Sequence, residues 1–303
     1  MPRSTAPLAL SGSVPSVALA DCPLCGVEDA VSGPLQVPSN GSRALILAAG
    51  RGSRMQAATA DRPKALLRIG SRSLLGYQLA SLRAVGVGDV TIVAGYRAEQ
   101  IRRAVGARAH VALNAEWART NSLYSLWVAR RWLLETPERG SVFILNSDVL
   151  ASPTVLARLL HRGESAFAYD ARSGHDAEHM KVDLRHGFLR AMSKDLPASQ
   201  VAGENVGILR LDAVAIRVLV RTAEAVLARG AHQSWLAEAV ERTAHHVALR
   251  AIDVSDLPWI EVDFPEDLVR AREEVWPQIR PAPEPRSLPV PPARYGPEAA
   301  PAL

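Results

Sequence analysis

The stretch RALILAAGRGSRM, Arg43–Met55, joins an apolar run to a glycine-rich turn. A short apolar run that ends at glycines is typical of a buried core strand. Gly50 and Gly52 follow it, and glycines let a backbone turn sharply and present its N–H groups to an anion. Arg51 and Arg54 add positive charge beside them. The stretch therefore predicts a core strand whose end binds an anion, of which a triphosphate is the natural example.

Two common phosphate-binding loops do not fit this turn. The dinucleotide fingerprint G-x-G-x-x-G requires a third glycine where this chain has Met55. The turn does not match the P-loop pattern G-x-x-x-x-G-K-[ST] either. On the two glycines alone, a plain turn and an anion-binding turn both stay open.

Apolar runs and helical spacings alternate over the first half of the chain's central region. The predicted strands are 44–49, 89–96, 110–114 and 141–148, and the predicted helices are 73–86, 98–105 and 122–135. This alternation predicts an α/β fold with a doubly wound, mostly parallel, Rossmann-like sheet. Parallel sheets bind ligands at the carboxyl ends of their strands, where both the glycine turn and Asp148 fall.

The pattern changes after about residue 165, where strands are expected to follow one another. The predicted strands are 165–172, a hairpin over 180–194 that turns at 185–187, then 204–212 and 259–264, and the predicted helices are 213–229, 234–245 and 265–276. This half predicts a small β-rich part appended to the parallel sheet.

Composition divides the 303 residues into one domain and two arms. Residues 1–41 are rich in Pro, Ser, Gly and Ala and predict a flexible arm, whereas 277–303 predict a proline-rich disordered tail. The folded domain is expected over 42–276. The sequence contains no apolar segment near the roughly 20 residues of a membrane helix, and its weak N-terminal apolar run does not favour a signal peptide. We therefore expect a cytoplasmic protein without a membrane partner.

Charge and cysteine content exclude some partners. Cys22 and Cys25 form half of a zinc-binding pattern, but two reduced thiols are the favoured interpretation because no second ligand pair lies close by in the sequence. The net charge of +4 comes from scattered arginines, which do not predict a nucleic-acid partner. Oligomeric state is not readable from the pattern, and a homodimer stays open.

Lysine is rare in this chain. Lys64, Lys181 and Lys194 are the three lysines among 35 basic residues. Lysine offers a compact point charge, whereas arginine offers a planar fork. A chain that otherwise uses arginine is expected to keep lysine where a point charge is required, unless the three positions are chance. Their places in the motifs below favour a requirement.

Several segments resemble one enzyme family. LAAGRGSRM (47–55) and TADRPKALL (59–67) resemble the signature of sugar-1-phosphate nucleotidyltransferases. NAEWARTNSLYSLWVAR, EHMKVDLRHGFLRAMSKDL, GENVGI and EVDFPEDL resemble its phosphocholine and phosphonate cytidylyltransferase branch. The resemblance covers about 43 to 276 and implies that the β-rich part binds the acceptor. Two departures are NSD (146–148), without the usual glycine before the acid, and SRSLL (71–75), in place of G-x-P-L-L.

The resemblance implies a role for each matching residue. The Mg²⁺ ligands would be Asp148 and Asp263, with Glu261 as a helper, and two carboxylates suit this ion. Catalytic charge would come from Arg54 and Lys64 at the triphosphate and Lys194 at the acceptor. The implied nucleotide-binding residues are Leu47, Ala48, Ala49, Gly50, Gly52, Asn121 and Ser122. The implied acceptor-binding residues are Lys181, Glu204, Asn205 and Tyr124.

The implied reaction is the transfer of CMP from CTP onto a phosphonate or phosphate oxygen with loss of pyrophosphate. The acceptor is left open: a quaternary ammonium would want an aromatic cage, whereas an aminoalkylphosphonate would want an acid such as Asp170 or Glu204. The candidate aromatics are Tyr124, Trp127, Tyr169 and Trp259. The alternatives are a sugar-1-phosphate nucleotidyltransferase that uses UTP or dTTP, a catalytically silent ligand-sensing protein of the same fold, and an interaction role for the proline-rich tail.

Overall fold

A computed structural model of the chain describes residues 41–174 and 177–279. The predicted N-terminal arm, with Cys22 and Cys25, and most of the predicted tail lie outside the described residues. The last described helix ends at Ile279, so three residues assigned to the tail from 277 are helical. Within the described ranges, no helix is long and apolar enough to span a bilayer.

The strands of the described ranges form one large sheet and two small ones. In chain order they are β1 (Ser42–Ala48), β2 (Arg68–Ile69), β3 (Arg72–Ser73), β4 (Val90–Ala94), β5 (His110–Leu113), β6 (Ser141–Asn146), β7 (Val149–Ala151), β8 (Ala166–Asp170), β9 (Lys181–Arg185), β10 (Phe188–Ser193), β11 (Gly203–Asp212), β12 (Arg250–Asp253) and β13 (Trp259–Glu261). The large sheet has the order β5-β4-β1-β6-β11-β8-β12-β10-β9, and β13-β7 and β2-β3 form the small sheets.

Helices cover both faces of the large sheet. They are α1 (Leu74–Ala84), α2 (Ala98–Val105), α3 (Ser122–Val128), α4 (Arg130–Leu134), α5 (Pro153–Arg162), α6 (Ala213–Leu227), α7 (Leu236–Ala244), α8 (Pro265–Arg270) and α9 (Trp276–Ile279), with a π-helical segment, Ala271–Val275, between the last two. Short 3₁₀ turns, Ser53–Thr59 among them, connect some of the elements.

The sheet is parallel at one end and mixed at the other. Strands β5, β4, β1 and β6 run parallel, as the alternation of strands and helices predicts. Strand β11 then pairs antiparallel with both β6 and β8, and β10 pairs antiparallel with β12 and β9. The predicted doubly wound α/β fold with a β-rich second part is confirmed.

Strand β1 shows why both faces of the sheet need cover. Ala44 and Ile46 pack in a core with α1, α2 and α5, whereas Leu45 and Leu47 pack in a second core with α3, α6 and α7. Successive side chains of a strand point to opposite faces, so a continuous apolar run is buried on both. Burying each large side chain of this run contributes about 1.5–3 kcal/mol.

Three element predictions differ from the structure. The predicted helix 122–135 is interrupted at Ala129, which lies between α3 and α4. The predicted strand 141–148 ends at Asn146, and Asp148 lies in the turn before β7. The predicted helix 265–276 contains the π-helical segment. Strands β7 and β12 were not predicted, and both are held by pairing with strands distant in the sequence.

Candidate active site

A cleft of about 430 Å³ opens at the carboxyl ends of β1 and β6. The end of β1 contributes Leu47 and the glycine turn, and the end of β6 contributes Asn146 and Asp148. Residues from β10, β11 and α7 form the opposite wall. The cleft thus lies where the sequence predicts ligand binding, at the strand ends of a doubly wound sheet.

The glycine turn is shaped to let Lys64 reach the cleft. Gly52 has a φ of +71°, and a Cβ added there would lie 2.9 Å from the Cβ and Cδ atoms of Lys64. Thr59 donates a 2.9 Å hydrogen bond from its Oγ1 to the carbonyl oxygen of Gly52 and fixes the turn. A side chain at position 52 would strain the backbone and press on the lysine stem.

Three carboxylates, from Asp148, Glu261 and Asp263, gather at the floor of the cleft. Antiparallel pairing of β7 with β13 places Val149 opposite Glu261, which brings the two chain segments together. The backbone N–H of Val262 donates to the carbonyl oxygen of Asp148 at 3.0 Å. One oxygen from each carboxylate lies within 4.8 Å of the others, an arrangement that could hold a metal ion.

Lys64 lies between two of these carboxylates. Its Nζ lies 2.9 Å from Oδ2 of Asp148 and donates a short hydrogen bond to Oδ1 of Asp263. Burial of Lys64 disfavours its charge, but the nearby carboxylates of Asp148 and Asp263 outweigh that effect and raise the pKa of the ammonium above its ordinary value. The lysine is therefore a fixed positive charge at the centre of the site.

The acids respond to the same environment in opposite directions. Burial, and then the charges of Asp148 and Asp263, raise the pKa of Glu261 well above its ordinary value. Burial also opposes ionisation of Asp263, but the Lys64 ammonium, with a smaller effect of Arg54, outweighs it and lowers its pKa. Asp263 is held ionised, whereas Glu261 is easier to protonate.

A divalent cation fits this acidic cluster. The buried Oδ1 of Asp148 has no hydrogen-bond partner among the described residues, so one oxygen of the cluster is available to a ligand. Carboxylate oxygens are the donors that Mg²⁺ prefers, and it commonly uses one or two of them together with phosphate oxygens.

Two further cations lie at the mouth of the cleft. Arg54 contacts Asp263 from Nη1 at 3.0 Å and Glu178 from Nη2 at 3.2 Å. The Nζ of Lys194 lies 3.1 Å from the same Oε2 of Glu178 and 5.6 Å from the ring centroid of Trp235. Glu178 thus bridges the two cations and marks a position where an anionic group is electrostatically favourable.

Most of the sequence-predicted site residues line the cleft. They are Leu47, Ala49, Gly50, Gly52, Arg54, Lys64, Asn121, Ser122, Asp148, Lys194, Asn205 and Asp263. Asn121 also accepts a hydrogen bond from the N–H of Ser122, whose Oγ accepts one from the N–H of Leu236. This pair therefore links the start of α3 to α7.

Four predicted residues do not line this cleft. Ala48 packs in the core on the face of the sheet shared with α1. Tyr124 packs on the other core, against Trp127 and His232. The remaining two, Lys181 and Glu204, are buried and turn to other partners.

Lys181 and Glu204 lie opposite each other in the β9–β11 pairing. The Nζ of Lys181 donates to the carbonyl oxygen of Lys194 at 2.6 Å, so it braces the backbone that carries the cleft lysine. Glu204 accepts a short hydrogen bond from Ser173 and lies 3.2 Å from Nδ1 of His179. In the structure both side chains support the cleft wall from behind.

The aromatic and acidic acceptor candidates are also placed elsewhere. Trp259 donates from Nε1 to Oδ2 of Asp170 at 2.8 Å, so these two residues satisfy each other. Trp127 and Tyr169 pack against the core. The cleft-lining aromatics of the described chain are instead Trp117 and Trp235, and Glu178 is the acid that lines the cleft outside the cluster of Asp148, Glu261 and Asp263.

Sequence reasoning missed a second set of cleft residues. They include Asn114, Trp117, Thr120, Ser125, Asn146, Ser147, Glu178, Met180, Met192, Gly207, Trp235 and Val240. Several lie inside segments quoted for the family resemblance, which was the available signal. Trp235 and Val240 come with α7 and carry no motif, so only the packing of α7 against β10 places them there.

The fold and this site define the class of protein. Residues 44–255 match the model of the MobA-like NTP transferase domain, and the chain belongs to that family.

Two curated proteins are similar to this chain over most of its length. The chain is 30% identical over 242 residues to CMP-5'-(3-aminopropyl)phosphonate synthase of Streptomyces rubellomurinus, covering 74% of this chain and 37% of that protein. It is 30% identical over 244 residues to the bifunctional IPC transferase and DIPP synthase of Rubrobacter xylanophilus, covering 78% and 52%. This chain thus spans about half or less of the length of these two relatives.

A solved structure supports the fold. The CTP:phosphocholine cytidylyltransferase of Streptococcus pneumoniae superposes with a TM-score of 0.65 at 20% identity, covering 77% of this chain and 98% of that one. At this identity the likeness establishes the shared fold.

Proposed function

We propose that this chain is a cytidylyltransferase that moves CMP from CTP onto a small phosphonate or phosphate monoester and releases pyrophosphate. The observation that carries the proposal is Lys64, held between Asp148 and Asp263 beside a glycine turn at the carboxyl end of β1. The names of the Streptomyces relative and of the Streptococcus neighbour, both of which specify a cytidine nucleotide, favour CTP over other nucleotides.

The transfer needs positioning and positive charge. An acceptor oxygen attacks the α-phosphorus of CTP in line, a P–O bond forms, and the bond to pyrophosphate breaks. Phosphonates and phosphate monoesters are largely ionised near pH 7, so the attack does not depend on a strong general base. Lys64 and Arg54, which both line the cleft, would neutralise charge on the α-phosphate and the leaving pyrophosphate.

Asp148 and Asp263, with Glu261 beside them, would hold Mg²⁺ in this enzyme. When bound, the ion would supply further positive charge to the phosphate oxygens of the nucleotide. Lys64, which contacts both aspartates, keeps their carboxylates together before substrate arrives.

The acceptor side of the cleft favours a small, partly apolar substrate. Met180, Met192 and Trp235 line it, and the polar groups beside them include Glu178, Lys194 and Asn205. Lys194 would bind the phosphonate or phosphate group, and the carboxylate of Glu178 and the face of Trp235 suit an ammonium. A carboxylate and an aromatic face together suit an amine-bearing group, so they favour an aminoalkylphosphonate or phosphocholine-like acceptor over a sugar phosphate.

The test is pyrophosphate release in a nucleotide and acceptor matrix with Mg²⁺. CTP, UTP, dTTP, ATP and GTP would each be paired with phosphocholine, 2-aminoethylphosphonate, 2-hydroxyethylphosphonate and glucose-1-phosphate. We expect release with CTP and an amine-bearing acceptor, lost in Asp148→Asn. Release with UTP or dTTP and glucose-1-phosphate instead would establish the sugar-nucleotide alternative. Nucleotide binding without release under any pairing would favour the ligand-sensing alternative.

A further inference from the structure

The turn that carries Asp148 is held by a buried side chain from another element. Gln78 lies on α1, is 5% exposed, and donates from Nε2 to the carbonyl oxygen of Asn146 at 2.7 Å and to that of Val149 at 2.9 Å. These carbonyls flank the two residues of the turn, Ser147 and Asp148. One amide group therefore bridges the end of β6 and the start of β7.

The backbone also supports this turn, in addition to the ion pair of Lys64 with Asp148. The N–H of Ser147 donates to the carbonyl oxygen of Leu47 at 3.3 Å, and the carbonyl oxygen of Asp148 accepts from Val262 at 3.0 Å. Gln78 adds the only side-chain contacts to the turn's flanking carbonyls that the described residues supply. The backbone hydrogen bonds to Leu47 and Val262 hold Ser147 and Asp148 against neighbouring segments. The Gln78 amide holds the carbonyl groups of Asn146 and Val149 on either side of the turn at a fixed separation.

Burial of the Gln78 amide is energetically unfavourable, which indicates that this side chain has a specific role. The Oε1 of Gln78 is buried without a hydrogen-bond partner among the described residues. A buried polar atom without a partner is unfavourable, and an apolar side chain on this core-facing side of α1 would avoid it. The benefit must come from Nε2, whose two hydrogen bonds set the path of the backbone on either side of Asp148.

We propose that Gln78 is a positioning residue for the acidic cluster, acting on a divalent cation through Asp148. This inference rests on the proposed function only in taking the cluster of Asp148, Glu261 and Asp263 as a cation site. Partners that hydrogen-bond the metal ligands themselves typically change metal affinity or activity by about 10–100-fold when removed, and Gln78, which bonds the backbone beside Asp148, is expected at the lower end of that range. The mechanism above does not use Gln78, which does not line the cleft.

The test is a titration of the full chain with Mn²⁺, in which the EPR signal of the free ion reports how much Mn²⁺ is bound. Gln78→Met keeps the length of the side chain and removes both donors, and Gln78→Glu keeps the shape and replaces the N–H groups with oxygen. We expect both to weaken Mn²⁺ binding about tenfold or more. Leu82→Ala, a fully buried residue of the same helix, is the control for general destabilisation and should bind Mn²⁺ like wild type despite a lower Tm.

The outcomes separate this inference from the proposed function. Mn²⁺ affinity unchanged in both Gln78 variants, or reduced equally in Leu82→Ala at the same loss of Tm, would overturn it, as would a wild-type chain that does not bind Mn²⁺. Weaker Mn²⁺ binding confined to the Gln78 variants supports it even if pyrophosphate release fails for every substrate pair. That last failure would count against the cytidylyltransferase alone.

Discussion

Replacing Lys64 by methionine tests the charge balance on which the site depends. The substitution keeps the length of the stem and removes the ammonium that contacts Asp148 at 2.9 Å and also binds Asp263. Removing one partner of a buried ion pair costs about 3–5 kcal/mol. Because the aspartate side chains are 21% and 31% exposed, water recovers part of this energy and the lower end, about 3 kcal/mol, applies.

The expected change in Tm follows from the size of the domain. For a domain of this length, each kcal/mol shifts Tm by about 2–4 °C, so Lys64→Met should melt about 6–12 °C below wild type in buffer with EDTA. Lys194→Met is the matched control, since its partner Glu178 is 53% exposed and such pairs contribute less than about 1 kcal/mol. Added Mg²⁺ should recover part of the loss in Lys64→Met, because a cation then neutralises the same acids.

Differential scanning fluorimetry of the three proteins, with EDTA and with Mg²⁺, provides the measurement. A Lys64→Met protein that melts no lower than Lys194→Met would refute the reasoning, because the acids would then not depend on the lysine. Recovery by Mg²⁺ of the same size in both variants would refute the assignment of the cation to this cluster.

Three further predictions address the other parts of the site. Glu261→Gln should raise Tm in EDTA, because the raised pKa of Glu261 means that the folded state disfavours its charge. The gain should be absent below the ordinary pKa of a glutamic acid and grow as the pH rises above it, and a gain independent of pH would contradict this. Gly52→Ala should cost about 1–3 kcal/mol of stability and lower kcat by displacing Lys64. Gly50→Ala, with no atom within 4 Å of the added Cβ, should leave the stability nearly unchanged, and equal effects of the two substitutions on urea unfolding would contradict this. Trp235→Ala, at a side chain 49% exposed in the cleft, should raise the KM for an amine-bearing acceptor several-fold, about what one exposed cation–π contact provides, and leave the KM for CTP unchanged.

The local sequence pattern predicted the glycine turn of the site. The apolar run and glycines of Arg43–Met55 predict a core strand with an anion-binding turn, and the structure places that turn at the mouth of the cleft. Lys64 follows close by in the sequence and is brought into contact with the turn at Gly52. These features lie on adjacent segments, so their spacing alone constrains how they meet.

The family resemblance pointed to Asp148 and Asp263, but the structure explains how they meet. They come together because β7 pairs with β13, and β7 was not predicted since a three-residue strand has no periodicity to detect. Gln78 could not be singled out from the sequence either, because it resembles any polar residue of an amphipathic helix. Its burial follows from the position of α1 against the turn, which the tertiary structure alone shows.

The sequence by itself determined most of the longer strands and helices, the glycine turn and the basic residues beside it, because these depend on neighbours along the chain. Only the tertiary structure decided that Glu178 and Trp235 line the cleft and that Lys181 and Glu204 turn away from it. The register of β9 against β11 buries the latter pair, and the packing of α7 against β10 brings in Trp235. Which side chains share a cleft depends on strand register and sheet order, and these are set by contacts between residues far apart in the chain.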